Sequence, residues 1–155
     1  MSASPGVTVS HIGLCVSDYE LSLRFYTEGL GFELAEGYDI GDFGAPLAEV
    51  PPPMSCRSQM IVKDTLKLEL LGWRTPAAEG QALTTRRQIG FTHLSLHVAD
   101  LRGVEQRLVA LGGTAVDSTR ARIPMPGGAA MDVLFVADPD GIRIELVQEI
   151  PAPTR

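Results

Sequence analysis

Imidazole and carboxylate side chains that recur in the same order are the first feature of this chain with chemical content. The segment H-I-G-L-C-V-S-D at residues 11–18 matches H-L-S-L-H-V-A-D at 93–100, and each opens on a histidine. Further on, D-T-L-K-L-E-L at 64–70 matches D-G-I-R-I-E-L at 140–146, and each carries one glutamate. A single match of this length is weak; two matches in the same order mark an internal duplication. The duplicated set is His11, Glu69, His93 and Glu145. Nitrogen and oxygen donors without thiolate suit one divalent ion, whether Zn, Ni, Co, Mn or Fe(II), and ligand type alone does not choose among these metals. Four such ligands leave an octahedral ion two positions for adjacent substrate oxygens.

The elements that must position these residues follow from periodicity. Each half opens on an alternating strand, about 7–16 and then 93–98. Ser17 with Glu20 forms a capping-box pattern, and Asp100 is suited to cap the second helix. Tyr19, Leu23, Tyr26 and Leu30 are expected on one face of the first helix. Leu101, Val104, Leu108 and Leu111 are expected on one face of the second. Gly29 and Gly31, and later Gly112 and Gly113, are helix stops. Three further strands are expected in each half: 31–38, 58–62 and 66–73, then 114–118, 131–137 and 142–148. The tract 41–54, with three consecutive prolines, reads as an extended loop or a short helix with a turn. The fold class is therefore α+β, two tandem βαβββ modules at 1–75 and 91–155 joined by a linker at 76–90, together making one domain.

Side chains alternate across a strand. Leu14 and Val16 fall on one face of the first strand, and His11, Gly13 and Cys15 on the other. Leu68 and Leu70 oppose Lys67, Glu69, Leu71 and Trp73. In the second half, His93, Ser95 and His97 oppose Leu94, Leu96 and Val98, and Arg143, Glu145 and Val147 oppose Ile144 and Leu146. All four candidate ligands thus share the face turned away from the helices. Taken singly, each Glu also reads as an ordinary solvent-facing residue with cross-strand partners, and each His as an ordinary hydrogen-bonded one. The apolar residues on the same face suit a lined cleft, and a carboxylate there needs a compensating charge.

With 155 residues and 45% hydrophobic content the chain can bury a real core. A net charge of −6 disfavours nucleic acid and anionic membrane partners. The N-terminal residues lack the pattern of a signal peptide, no stretch is apolar enough to span a bilayer, and Cys15 and Cys56 fit no zinc or redox spacing. The expectation is a cytoplasmic protein with reduced thiols and a small-molecule substrate.

The quoted motifs, with S-L-R-F-Y and L-G-F after the first strand and F-T-H before the second His segment, resemble the vicinal oxygen chelate superfamily. It includes glyoxalase I, methylmalonyl-CoA epimerase, extradiol dioxygenases and metal-free bleomycin-binding proteins. The resemblance covers nearly the whole chain and implies two modules closing an open, barrel-like cleft around the metal, with His11, Glu69, His93 and Glu145 as its ligands. The four-ligand set is most similar to bacterial glyoxalase I. It implies a lyase or isomerase acting through a metal-chelated enediolate, with Glu145 as base and Glu69 second in line. An Fe(II)-dependent extradiol-type dioxygenase, using His11, His93 and Glu145, and a non-catalytic binding or resistance protein are the alternatives. L-E-L-L-G-W departs from the glyoxalase I pattern after Glu69, as does the proline-rich tract. Trp73, Phe91, His97 and Met125 are candidates to line the substrate site, against ordinary core or rim roles. Lys67, Arg86, Arg87 and Arg143 are candidate anion binders, against a default of solvated charge. Residues 122–131 read as a lid or as a plain hairpin loop. The family implies a homodimer, and the ligands come from one chain or from two.

Overall fold

The computed structural model describes residues 6–153. Strand β1 (Ile12–Val16) leads into helix α1 (Tyr19–Arg24), which continues as a π turn over Phe25–Gly29. Then come β2 (Glu33–Ile40), a 3-10 turn at Asp42–Gly44, the short α2 (Ala45–Ala48), β3 (Ser55–Lys63) and β4 (Leu66–Thr75). The second half repeats this order with β5 (Leu94–His97), α3 (Leu101–Ala110), β6 (Thr114–Pro124), β7 (Ala130–Ala137) and β8 (Arg143–Ile150). No helix or strand lies between Thr75 and Leu94. Among the described residues no helix is long and apolar enough to cross a membrane.

The strands form two four-stranded sheets with the same order, β1-β4-β3-β2 and β5-β8-β7-β6. In each, the first and last strands of a βαβββ module lie side by side and parallel, while the other pairs are antiparallel. The α+β class and the duplicated module are therefore as expected. So are the buried faces: Leu14, Val16, Leu68 and Leu70 are buried in the first sheet and Ile144 and Leu146 in the second, while Leu94 and Leu96 are half-buried. Two details differ. The first strand begins at Ile12 rather than near Val7, because its ladder with β4 begins at the Ile12–Leu68 pair. The first helix buries Ser22, Phe25, Tyr26, Gly29 and Leu30, while Tyr19 and Leu23 are half-buried. The π turn adds a residue to the helical repeat and so rotates the buried face away from the regular spacing. The 41–54 tract is the short-helix alternative, and residues 122–131 form a hairpin between β6 and β7.

Two compact units divide the chain. One comprises the chain up to Tyr19 together with Phe32–Ala78; the other comprises Glu20–Gly31 and everything from Glu79 onward. The helix of the first repeat is thus grouped with the second sheet. Within that second unit Arg107 Nε donates to Gly29 O at 2.8 Å, and Tyr26 Oη donates to Asp138 Oδ2 at 2.9 Å. A Cβ on Gly29 would lie 2.7 Å from Leu108, so the backbone of the turn sits directly on α3. Helix α3 starts where Asp100 accepts from the Gly103 amide at 3.0 Å. It stops in a Schellman motif, with Gly112 at φ +92°, Gly113 N donating to Leu108 O and Gly112 N donating to Val109 O.

Asp138 ties these parts to β8. Its Oδ1 accepts from the amides of Asp140 and Ile142 at 3.0 and 2.8 Å, closing the turn that aims β8. Burial pushes its carboxyl above the usual range even though the Tyr26 hydroxyl and both amides favour the charged form. A carboxyl with a raised folded pKa supports the fold below its unfolded pKa, and that support is lost as pH rises through the folded value. Replacing Tyr26 by Phe removes a donor from this buried carboxylate and raises the folded pKa further. The Tyr26→Phe variant should therefore lose about 1–3 kcal/mol near neutral pH. The deficit should shrink as pH falls below that raised pKa, as read by urea denaturation at a series of pH values.

Candidate metal centre

The parallel ladders decide what each glutamate meets. Gly13 is the register partner of Glu69, and Ser95 that of Glu145. The histidine two positions earlier precedes the strand on the same face. His11 Nε2 consequently lies 3.1 Å from Glu69 Oε2, and His93 Nε2 lies 3.8 Å from Glu145 Oε2. All four side chains are partly exposed, from 16% for Glu69 to 34% for His93. The structure sets these residues in two separate His–Glu pairs, one in each compact unit. Among the described residues no group of three or more His, Cys, Asp or Glu side chains is gathered about one point.

Each pair is braced by hydroxyls that the sequence reading did not single out. Ser10 Oγ sits 2.9 Å from His11 Nδ1, and Thr92 Oγ1 sits 2.9 Å from His93 Nδ1. A hydroxyl on Nδ1 fixes the ring plane and leaves Nε2 facing the carboxylate, the arrangement that orients a metal-binding histidine. The edge of Phe135 against His93, with ring centroids 5.2 Å apart, adds packing to the second pair. The carboxylates are held as well. Ser58 Oγ donates to Glu69 Oε1 at 2.5 Å, and Ser95 Oγ donates to Glu145 Oε2 at 2.6 Å.

These two serines are not equivalent by position. Ser95 comes from the parallel neighbour β5, whereas its counterpart on β1 is Gly13. Ser58 comes from the antiparallel neighbour β3, whereas its counterpart on β7 is Val133. The same bond is made from opposite sides. A hydroxyl residue directly before each histidine was visible in the sequence, and Ser95 follows His93 by two positions; Ser58 needed the strand register to be found.

The remaining candidates divide. Trp73 and Leu71 pack on a buried cluster of Ala45, Met54 and Cys56. Phe91 is exposed in the segment before β5. His97 is exposed, with Nδ1 3.8 Å from Glu149 Oε1 at the edge of the second sheet. Met125 lines a cavity at the β6–β7 hairpin. Lys67 is paired with Glu36 at 3.0 Å, and Arg86 is spent on the carbonyls of Leu83 and Thr92. Neither cysteine is in a disulfide, and burial pushes the Cys56 thiol up to about 11, which keeps it protonated and unreactive.

A duplicated βαβββ fold carrying one imidazole–carboxylate pair per repeat defines a class, and comparison with known proteins agrees. The chain belongs to the Glyoxalase/Bleomycin resistance protein/Dioxygenase superfamily, whose family model matches residues 8–146. It is 29% identical over 140 residues to a protein of Vibrio parahaemolyticus named probable lactoylglutathione lyase, covering 90% of this chain and 89% of that one. It is 30% identical over 155 residues to a 2-epi-5-epi-valiolone epimerase from Actinomyces, covering 96% and 82%. In fold it is similar to a glyoxalase family protein from Bacillus cereus (TM-score 0.78, 16% identity, 97% of this chain and 99% of that one). It also resembles glyoxalase I from Zea mays (TM-score 0.61, 22% identity), where it covers 93% of its own length but 44% of the maize chain.

Each pair offers donors whose chemistry suits a divalent ion, imidazole nitrogen and carboxylate oxygen oriented by hydroxyls. If Ser58 and Ser95 hold the carboxylates for a metal, Ser58→Ala and Ser95→Ala should each weaken Zn binding about 10–100-fold in competition with a chelator. Adding Gly13→Ser to Ser58→Ala should recover part of that loss. A Cβ at Gly13 would stand 3.8 Å from Glu69 Oε2, in ordinary contact, and would present a hydroxyl where Ser95 presents one in the other module. Wild-type Zn affinity in both alanine variants would remove the serines from this role.

Proposed function

We propose that the chain is a divalent-metal-dependent lyase or isomerase whose ion is held by His11, Glu69, His93 and Glu145. The observation that carries this reading is the repeated His–Glu pair, braced in both modules by a hydroxyl on Nδ1 and a serine on the carboxylate. A divalent ion bound there would polarise a substrate carbonyl and make the adjoining C–H acidic.

The chain's own residues then handle the proton. Glu145 is the base, with Glu69 the alternative; one carboxylate oxygen accepts the proton from the carbon beside the carbonyl. Ser95 keeps that carboxylate from swinging away while it carries the proton. Delivery to the neighbouring carbon completes an isomerisation; inversion of a stereocentre takes a second carboxylic acid, the part left to Glu69, giving its proton to the opposite face of the same carbon while Glu145 later returns its own to solvent. A lyase-named relative and an epimerase-named relative at similar identity support this common proton-transfer step without choosing between its outcomes.

The ligand set makes a specific prediction. Glu69→Gln keeps a neutral oxygen donor and should still bind metal, though more weakly. Glu69→Ala and Glu145→Ala should each lose affinity heavily and by comparable factors in chelator competition. Near-wild-type binding by Glu69→Ala would instead point to three ligands, the pattern of an oxygenase. Elemental analysis of protein prepared without chelator should find close to one divalent ion per site, and a preparation that also refuses added Zn, Ni, Co, Mn and Fe(II) would end the metal reading. The expected quaternary state is a homodimer, because a module with an open sheet edge gains by pairing. Sedimentation equilibrium at micromolar concentration should give twice the mass of the chain.

A further inference from the structure

The two modules differ most where the site face runs out toward its far end. In the first sheet, Ile40, Cys56 and Trp73 lie on the face of Glu69 and are joined across the strands by register. The 41–54 segment covers them with its own side chains: Ala45 and Met54 are buried there with Cys56, and Ala48 and Val50 pack against them. In the second sheet the matching register positions are Ile123, Met131 and Glu149. There the chain between the strands is only the tight turn Met125–Ala129, closed by Met125 N donating to Ala129 O at 2.9 Å. Ile123 and Met125 stand 43% and 39% exposed. A cavity of about 460 Å³ remains, with Met125, Pro126, Met131, Glu149, Ile150 and Pro151 in its walls.

Three properties of this cavity bear on its occupant. Its walls are thioether, aliphatic and proline surface, matching the chemistry with which the first module covers the same place. Among the described residues no lysine or arginine lines it and the one carboxylate in its walls is that of Glu149, so an anionic group placed there would be repelled and unpaired by these walls. It lies on the strand of Glu145, four residues along, which is about 13 Å at the usual strand rise. That is within the span of a small organic molecule whose other end reaches Glu145. A volume of this size also falls within the usual range for small-ligand pockets.

We infer that this cavity receives the uncharged, apolar arm of the substrate. The substrate class is then a small carbonyl compound with an aliphatic or aromatic arm, rather than a conjugate with an anionic one. The inference rests on the reading of Glu145 as the reacting end of the site, and its test is arranged so that the two can fail separately.

Two probes distinguish the classes by calorimetric titration of the full chain: decane-2,3-dione, neutral with vicinal oxygens and an alkyl arm that extends toward the cavity, and S-methylglutathione, which carries two carboxylates and no long apolar arm. The dione should bind at least tenfold more tightly. Met131→Asp, which places a carboxylate in the wall, and Ala129→Trp, which fills the cavity from the hairpin turn rather than from a strand position, should each weaken dione binding at least tenfold. Zn affinity by chelator competition should be unchanged in both. Tighter binding of S-methylglutathione, or dione affinity unaffected by Ala129→Trp, overturns the assignment. Conversion of a dimer to monomers by either variant also overturns it, since the cavity would then be covered by a second copy of the chain. Loss of Zn binding by the wild-type chain would instead refute the metal reading, whatever the dione does.

Discussion

Register in two parallel strand pairs is the constraint on which the site depends. β1 lies against β4 with Gly13 opposite Glu69, and β5 lies against β8 with Ser95 opposite Glu145. Because side chains alternate, a slip of one residue would turn both glutamates toward the buried side, where Leu68, Leu70, Ile144 and Leu146 now sit. The apolar residues therefore lock the polar ones in place. Burying the leucines in this register obliges each His–Glu pair to face outward together.

What surrounds β8 reinforces that lock. The turn before it is closed by Asp138, which takes two amides on one oxygen and the Tyr26 hydroxyl on the other. A buried carboxylate is tolerated there only because its acceptors are filled. The cost of burial appears as a raised carboxyl pKa, and the return is a fixed start for the strand that carries Glu145. Helix α1, although it belongs to the first repeat in sequence, thereby helps to aim a site residue of the second.

Duplication gave two copies of one frame, and each copy has since solved the same local problem with different parts. The carboxylate brace comes from β3 in one module and from β5 in the other. The end of the site face is filled by α2 in one module and left open beside a tight hairpin in the other. Substitutions of this kind cost little in the frame, since a glycine or valine replaces a serine on an already paired strand. They change the surface offered to a ligand considerably. In this superfamily, where relatives bear names as different as a lyase and an epimerase, such differences lie at the edge of a constant frame and leave the two His–Glu pairs undisturbed.

The sequence by itself determined the module order, the duplicated His and Glu, the faces they occupy and the capping of α3 by Asp100. Each of these follows from local rules: period-two alternation, a good cap residue, and glycine where the backbone needs positive φ. Tertiary structure alone decided the rest. The buried face of α1 shifted because packing against α3 and the 138–142 turn selected a π turn over the regular repeat. Ser58 became the partner of Glu69 only through the β3–β4 register, since nothing in the spacing of residues 58 and 69 predicts a 2.5 Å hydrogen bond between antiparallel neighbours. The role of the proline-rich tract was likewise hidden. Whether Ala45 and Met54 cover Trp73 or stand in solvent depends on where the chain returns to the sheet, and that is set by contacts distant in sequence.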